Sequence, residues 1–338
     1  MTRDVLPVWP GELIPARGGS VHVRRVPPGR DSLEPAVLVH GLGGSATNWT
    51  DVMGLLRDRV DAHAPDLPGF GWSPPPPDAN YTPEAHAHTV VDVIESVGAP
   101  VHLMGNSLGG AVATLVAARR PDLVRTLTLV SPALPAYRPR ATNVHLPALA
   151  VPFIGQRLMR RLGRFPVEAR VRATIALCFA DPDRVPPQRF EEAVAEASRR
   201  ARLDYDSDAM LESLRSLLTS YFRRGPATLW NAAAQVQAPT LLIYGLRDKL
   251  VDPKTSARAA RTFPRSQLLV LPGSGHVAQM EHPHVVAAAV RKFIDRVGSR
   301  DIDLRPLLAN GAQVTSRSGS SFARGSGWPP GGGHRPRS

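Results

Sequence analysis

The feature that most constrains this chain is the segment 105–110, which reads Gly-Asn-Ser-Leu-Gly-Gly. It follows a short apolar run at 101–104 and precedes a helical pattern at 108–119. A G-x-S-x-G sequence between a strand and a helix is typical of a nucleophile elbow, a tight turn that holds the serine in a strained backbone conformation. The pattern therefore predicts Ser107 as a nucleophile at the carboxyl end of a strand.

A serine hydroxyl becomes a good nucleophile only when a base takes its proton, so Ser107 requires a histidine and an orienting carboxylate. In chains with this elbow the order is serine, acid, histidine. Asp248 follows an apolar run at 240–244, and His276 follows another at 267–271. Both lie where open α/β sheets bind ligands, past the ends of predicted strands. We therefore predict a triad of Ser107, Asp248 and His276.

Asp252 is the alternative to Asp248 for the acid. Pro253 follows it directly, and an aspartate before a proline is typical of the residue that caps the start of a helix. The sequence therefore favours Asp248 as the acid and a capping role for Asp252.

A second glycine-rich loop, 40–44, follows the predicted strand at 36–40 and resembles the H-G-G-G-type loop that donates hydrogen bonds to an oxyanion. We assign the backbone N–H groups of Leu42 and Leu108 as the two donors. Six further residues are expected to shape the two loops: His40, Gly41, Gly43, Gly105, Asn106 and Gly109. Residues 41–46 also satisfy G-x-G-x-x-A, the dinucleotide-binding pattern. No acidic strand end lies about 20 residues further on, where that pattern requires it, so no cofactor is predicted.

Alternating strand and helix patterns predict a mostly parallel central sheet flanked by helices, an α/β fold. Branched apolar runs predict strands at 21–26, 36–40, 62–64, 101–104, 126–130, 240–244 and 267–271. Helical patterns lie at 49–60, 83–97, 108–119, 255–262 and 281–297. Residues 132–235 break the rhythm with helical patterns alone, at 152–164, 167–179, 187–201 and 208–223. We therefore predict a body of 1–131 and 236–300, an all-helical insertion at 132–235, and a disordered Gly/Ser/Arg/Pro-rich tail at 301–338.

The net charge of +12 is unevenly distributed. The insertion has 16 basic against 10 acidic residues and the tail 5 against 2, which leaves the body at only +3. Of the 41 basic residues, three are lysine, and such an arginine bias often reflects genome composition. Few aromatic residues accompany the basic runs, so no specific nucleic-acid partner is predicted.

The sequence also bears on location and on metals. It has no apolar run of about 20 residues, residues 1–12 lack the apolar segment of a signal peptide, and Cys178 is the single cysteine. These features predict a cytoplasmic protein without an internal disulfide. The histidine pairs His86/His88 and His282/His284 are spaced two apart and so do not share a helix face. No metal site is predicted.

Several motifs together resemble the α/β-hydrolase fold family over roughly residues 20–300. They are His40-Gly41 with Trp49, the loop 66–73, the elbow, the Asp248 loop, and Gly275-His276 with 281–283. The resemblance implies Ser107 as nucleophile, His276 as base and acid, and Asp248 as the residue that orients it. It also implies that 132–235 forms a cap over the site, and it gives Trp49 and Asp66 structural roles only.

Chemistries in this family differ chiefly in the nucleophile. Its haloalkane dehalogenases and epoxide hydrolases attack with an aspartate, so Ser107 argues against both. Esterases, lipases, thioesterases and carbon–carbon hydrolases of vinylogous diketones remain. Asn106 and residues 275–282 also resemble the carbon–carbon hydrolases. The loop 66–73 is of the general esterase type, and no cap arginine and aromatic pair for a dienoate carboxylate is identified. A carboxylic ester hydrolase is therefore the first hypothesis, a carbon–carbon hydrolase the second, and a non-catalytic small-ligand receptor the third.

Apolar residues of the insertion are expected either to wall a pocket for a small hydrophobic ester or to form ordinary helix-packing core. They are Leu146, Leu149, Val151, Phe153, Ile154, Leu158, Met159 and Phe165. The arginines beside them either rest on anionic lipid, which would place the protein at the inner membrane surface, or form a solvated face. They are Arg157, Arg160, Arg161, Arg164, Arg170 and Arg172. The sequence carries no signal for an oligomeric state.

Overall fold

The computed structural model describes residues 6–17, 19–98, 100–136, 149–299 and 313–316. The strands in these ranges form one nine-stranded sheet in the order β1-β2-β4-β3-β5-β6-β7-β8-β9. Their bounds are β1 Gly11–Ala16, β2 Gly19–Arg25, β3 Glu34–Val39, β4 Val60–Pro65, β5 Val101–Asn106, β6 Val124–Val130, β7 Thr240–Gly245, β8 Ser266–Leu271 and β9 Gln313–Ser316.

Strands β3 to β8 pair in parallel, whereas β1, β2 and β9 add antiparallel pairs at the two edges. Every residue of β5 and of β7 is buried, because helices cover both faces of the sheet. Strands of that kind are continuously apolar rather than alternating. The predicted mostly parallel sheet flanked by helices is confirmed.

Helices pack on the sheet from both sides. The α-helices in the described ranges are α1 Thr50–Leu56, α2 Pro83–Val97, α3 Leu108–Arg119, α4 Ile154–Leu162, α5 Val167–Cys178, α6 Pro187–Arg200, α7 Asp206–Tyr221, α8 Leu229–Gln235, α9 Thr255–Thr262, α10 Ala278–Glu281 and α11 Pro283–Gly298. Short 3₁₀ turns lie at Ala46–Trp49, Pro121–Leu123, Pro182–Arg184 and Gly225–Ala227. One core cluster joins α2, α3 and α8 to one face of the sheet, and a second joins α1 and α11 to the other.

Between β6 and β7 the described residues form the helices α4 to α8 with connecting turns and loops, and no strand lies among them. The sequence pattern assigned all of 132–235 to the insertion, but α8 packs on the body helix α3. Leu229, Trp230 and Ala233 of α8 are buried in the main core cluster. On packing, the body therefore resumes at α8, and we use the name insertion below for residues 149–228.

Two strands, β1 and β9, were not predicted from the sequence. β1 is an edge strand whose residues are mostly exposed, and Pro15 within it breaks the alternating pattern that predicts a strand. β9 lies in the tail predicted to be disordered, and for Gln313–Ser316 that prediction is wrong. The sheet edge at β8 offers unpaired backbone groups, and the antiparallel pairing satisfies them. The rest of 301–338 lies outside the described residues.

Candidate active site

The elbow is built as its glycines require. β5 ends at Asn106 and α3 begins at Leu108, and Ser107 between them has φ 54° and ψ −117°. A side-chain carbon at Gly105 would collide with the carbonyl of Gly109, and one at Gly109 would collide with the carbonyl of His40. The turn therefore excludes side chains on both sides of Ser107, which remains partly exposed.

His276 and Asp248, each at least 95% buried, form a hydrogen-bonded pair. His276 Nδ1 lies 2.8 Å from Asp248 Oδ2. The other carboxylate oxygen accepts hydrogen bonds from the amides of Leu250 at 2.8 Å and Val251 at 2.9 Å. Burial acts to raise the pKa of Asp248, but the interaction with His276 and these amides outweighs it, so the pKa lies below its ordinary value. The ionised carboxylate fixes the tautomer with a proton on Nδ1, which makes Nε2 the basic nitrogen of His276.

Asn106 ties the elbow to the histidine loop. Its side-chain amide donates to the carbonyl of His276 at 3.1 Å and to that of Val130 at 3.0 Å. A side-chain carbon at Gly41 would lie 3.0 Å from Ser107 Cβ, so the glycine-rich loop after β3 also approaches the serine closely. The structure thus brings together the three loops that the sequence assigned to the nucleophile, the base and the oxyanion.

His40 shapes the loop after β3. Its Nδ1 donates to the carbonyl of Gly41 at 2.7 Å, and its Nε2 accepts from the amide of Leu67 at 2.9 Å. Burial lowers the pKa of His40, so the ring is neutral and can make both bonds at once. Gly43 has φ 71°, a left-handed conformation that suits glycine. The two hydrogen bonds of His40 and the conformation of Gly43 thus fix the shape of this loop.

Two backbone amides remain available near Ser107. The N–H groups of Leu42 and Leu108 donate to no other group in the described part of the chain. Leu108 is the first residue of α3, and the first amides of a helix have no acceptor within it. These are the two donors that the sequence analysis assigned to the oxyanion.

Sequence reasoning gave no role to Glu281, which the structure places among the catalytic loops. One oxygen of this buried carboxylate accepts from the amide of Gly275 at 2.7 Å, and the other accepts from the amide of Asp181 in the insertion at 2.9 Å. The amide of His276 donates to the carbonyl of Cys178 at 2.7 Å. Glu281 lies five residues beyond His276, in the motif 281–283 that the sequence analysis noted without assigning it a role.

The segment 176–181 of the insertion is therefore attached to both catalytic loops. In addition to the bonds of Glu281 and His276, the ammonium group of Lys249, next to Asp248, donates to the carbonyl of Ala176 at 2.6 Å. We call residues 176–181 the attached segment. Burial, with Asp248 nearby, raises the pKa of the Cys178 thiol to about 12, so this group stays protonated and is no rival nucleophile at neutral pH.

A second pair of contacts joins the insertion to the body through arginines of α6. Arg200 donates to the carbonyl of Gly43 at 2.7 Å and forms an ion pair with Asp206. Arg199 forms an ion pair with Glu196 and lies over the Trp72 ring, with its guanidinium carbon 4.2 Å from the ring centre. Arg200 thus attaches the insertion to the glycine-rich loop that follows β3.

Asp66 and Asp252 lie outside the catalytic pair. Asp66 is fully buried and accepts hydrogen bonds from the amides of Ala46 at 2.6 Å and Trp72 at 2.9 Å. These bonds fold the loop that follows β4. Asp252 accepts from the amide of Lys254 at 3.1 Å, in the turn before α9. The acid bonded to His276 is Asp248.

Half of the apolar residues expected to wall a pocket point elsewhere. Val151, Phe153, Ile154 and Phe165 are exposed, so for these four neither a pocket wall nor a helix-packing core is correct. The helix α4 turns its other side inward, where Leu149, Leu158 and Met159 join a small cluster with Leu42, Leu211 and Leu214. Leu146 lies outside the described residues.

The described residues contain no group of three or more His, Cys, Asp or Glu side chains placed to hold a metal ion. None of the helices that the structure describes is long and apolar enough to span a membrane.

Comparison with known proteins places the chain in context. The family model described as the alpha/beta hydrolase fold matches residues 35–283. The chain is 30% identical to the 2-hydroxymuconate semialdehyde hydrolase of Pseudomonas sp. strain CF600, over 77% of this chain and 86% of that relative. It is 29% identical to haloalkane dehalogenase 2 of Mycobacterium tuberculosis, over 78% and 88%. A membrane phospholipase A of known structure superposes with a TM-score of 0.69 at 23% identity, over 86% of this chain and 87% of that chain, a likeness of fold alone.

Proposed function

Since the chain belongs to the α/β-hydrolase family, we propose that it is a serine hydrolase that cleaves a hydrophobic carboxylic ester through an acyl-enzyme. The observation that carries the proposal is the hydrogen-bonded Asp248–His276 pair, whose histidine loop is tied by Asn106 to the elbow that bears Ser107. The backbone amides of Leu42 and Leu108, which have no acceptor in the described part of the chain, belong to the two loops beside this serine. A nucleophile, an oriented base and oxyanion donors are the parts that acyl transfer requires.

In this mechanism Ser107 Oγ attacks the ester carbonyl carbon while His276 Nε2 takes the serine proton. The amides of Leu42 and Leu108 bind the oxyanion of the tetrahedral intermediate, and Asp248 stabilises the imidazolium that forms. Collapse of the intermediate breaks the carbon–oxygen bond, and His276 returns the proton to the leaving alcohol. Water, activated by His276, then attacks the acyl-enzyme and releases the acid.

The apolar cluster beside the oxyanion loop supports an apolar acyl group. Leu42 carries one of the two amides, and its side chain packs against the cluster of Leu149, Leu211 and Leu214 in the insertion. Met210 lies against Gly43 of the same loop. A hydrophobic chain bound there would gain roughly 25 cal/mol for each Å² of apolar surface removed from water.

Carbon–carbon bond hydrolysis is the second candidate, favoured by Asn106 before the serine and by the relative named as a semialdehyde hydrolase. A dienoate substrate needs a cation for its carboxylate. Two arginines of α6 contact the loops that follow β3 and β4, and both, Arg199 and Arg200, already bind the carboxylates of Glu196 and Asp206. Because these guanidinium groups already have carboxylate partners, ester hydrolysis is the first candidate. Serine in place of an aspartate at the elbow ranks dehalogenation below both.

The test is a hydrolysis screen of p-nitrophenyl esters of rising acyl length beside a vinylogous diketone. We expect ester turnover with a preference for longer chains, whereas turnover of the diketone alone would support the second candidate. A fluorophosphonate probe should label the wild type and fail to label Ser107→Ala. Ser131→Ala is the matched control, since Ser131 also has a positive φ of 43° but follows β6. Absence of labelling of the wild type would contradict the proposal and favour a non-catalytic receptor.

A further inference from the structure

The outer surface of the insertion carries an unusual density of exposed apolar side chains. We call residues 151–165 the outer helix, which comprises α4 and its flanking turns. Phe153 is 86% exposed, and Ile154 and Phe165 are each 55% exposed. Val151 and Leu162 of the same segment are also exposed. Five large apolar side chains exposed within 15 residues of chain are typical of an interaction surface.

The same segment is strongly and uniformly basic. Arg157, Arg160, Arg161 and Arg164 are all exposed, and the sequence has no acidic residue between 149 and 167. None of the four guanidinium groups forms an ion pair within the part of the chain that the structure describes. The positive charge of the outer helix is therefore unneutralised by the protein around it.

The two faces of α4 are chemically distinct. Its inward side places Leu158 and Met159 in the cluster that contains Leu42. Its outward side presents Ile154 and the arginines, with a phenylalanine just before the helix and another just after it. A helix with this arrangement suits an interface in which apolar side chains enter the acyl region while long arginine side chains reach the phosphate level.

We propose that the outer helix docks on the surface of an anionic lipid bilayer. Charge complementarity selects this occupant: the arginines match lipid phosphates, and the exposed phenylalanines match the acyl boundary, whereas a nucleic acid would leave the apolar side chains in water. Docking does not depend on the proposed hydrolysis, because no residue of the outer helix belongs to the catalytic machinery. Docking would bring the bilayer surface close to the candidate active site, since the opposite side of α4 packs in the cluster that includes Leu42.

The test is co-sedimentation of the full chain with vesicles of equal parts phosphatidylglycerol and phosphatidylcholine, and with vesicles of phosphatidylcholine alone. We expect binding to the anionic vesicles at about 0.05 M salt and weaker binding at about 0.5 M, where the screening length is shorter. The variant Arg157→Gln/Arg160→Gln/Arg161→Gln/Arg164→Gln should bind at least about tenfold more weakly, since each basic side chain near such a surface contributes about fivefold.

Two further variants separate the contributions. Phe153→Ser/Ile154→Ser should reduce binding at both salt concentrations, because the apolar contribution is not screened. A matched control removes four exposed arginines of the body instead, at Arg30, Arg57, Arg261 and Arg265, and should keep at least half of the wild-type affinity. Equal losses in the two quadruple variants would overturn the proposal, as would failure of the wild type to sediment with anionic vesicles at low salt. A wild-type dimer that Phe153→Ser/Ile154→Ser dissociates, without vesicle binding, would instead identify a second copy of the chain as the occupant.

Discussion

The candidate catalytic centre and the outer helix differ in the burial and the hydrogen bonding of their side chains. In the centre, Asp248, Glu281 and Asn106 are buried, and each makes two or more hydrogen bonds to neighbouring loops. On the outer helix, Phe153 and Arg157 are exposed and make few contacts. One insertion thus presents two different surfaces. Its attached segment is hydrogen-bonded to the loops of His276 and Asp248, whereas its outer helix is exposed to solvent.

The largest effect is expected from Asp248→Asn. The amide could keep the contact with His276 but would favour the wrong tautomer, and kcat for a p-nitrophenyl ester should fall by about 10⁴. Asp252→Asn is the matched control, because the Asp252 side chain bonds only to the turn before α9. We expect it to retain kcat within about threefold, as for a surface substitution. Equal losses in both variants would remove the assignment of Asp248.

Glu281→Leu should have the next largest effect. It leaves the buried amide of Gly275 without an acceptor, at a cost of about 1–3 kcal/mol, and it also removes the acceptor of the part-buried amide of Asp181. Because His276 follows Gly275 directly, we expect kcat to fall about 10–100-fold in protein that is still folded. Glu95→Leu on the exposed part of α2 should leave kcat unchanged. An unchanged kcat in Glu281→Leu would show that the attached segment is not needed to position His276.

His86 lies where α2 of the body meets α7 of the insertion. We expect its protonation to make this contact depend on pH. His86 is fully buried on α2, and its Nε2 lies 3.4 Å from the hydroxyl of Ser213 on α7. Burial, and then the nearby His40, lower the pKa of His86 to about 3. In the unfolded chain its pKa is about 6.5.

The unfolded state therefore binds a proton at His86 between these two pKa values, where the folded state does not. The contribution of His86 to stability is complete above about pH 6.5 and is lost as the pH falls toward 3, by about 1.4 kcal/mol per pH unit. Between pH 7 and pH 5 the free energy of unfolding of the wild type should fall about 2 kcal/mol further than that of His86→Gln. Urea unfolding at both pH values measures this, and parallel losses in the two proteins would contradict it.

The smallest effect is expected on the outer helix. Phe153→Ser should change the free energy of unfolding by less than about 0.5 kcal/mol, because the side chain is already in water. Phe179→Ser, in the attached segment, replaces a side chain that is 5% exposed and should cost about 3 kcal/mol or more. Thermal unfolding of both variants measures the contrast directly. Similar losses would mean that the outer helix is packed in solution.

Most of the body could be predicted because its signals are local. The elbow and the histidine loop are marked by glycines that the turns require, and β5 and β7 by short runs of mostly apolar residues. The helix α8 was missed because its alanine-rich sequence carries a weak pattern, and only its packing on α3 assigns it to the body. Local sequence carries no such long-range information.

The contacts of the attached segment and the exposure of the outer helix could not be predicted from the sequence, because both depend on residues far apart in the chain. Glu281 bonds to Asp181 across 100 residues of chain, and nothing near either residue indicates the pairing. The apolar residues of α4 fit a pocket wall, a packed core or a solvent-facing surface equally well in sequence. The direction in which each face points depends on where α7 lies, and that follows only from the tertiary structure.

One edge of the sheet has a consequence for handling the protein. β8 contains no charged residue, and β9 covers it by antiparallel pairing. A chain shortened before Gln313 would leave a row of open backbone donors and acceptors along an apolar strand, which is a template for pairing with other chains. The four residues of β9 thus protect the edge of the sheet from pairing with other chains. The light scattering of a truncated variant should be measured before its activity is interpreted.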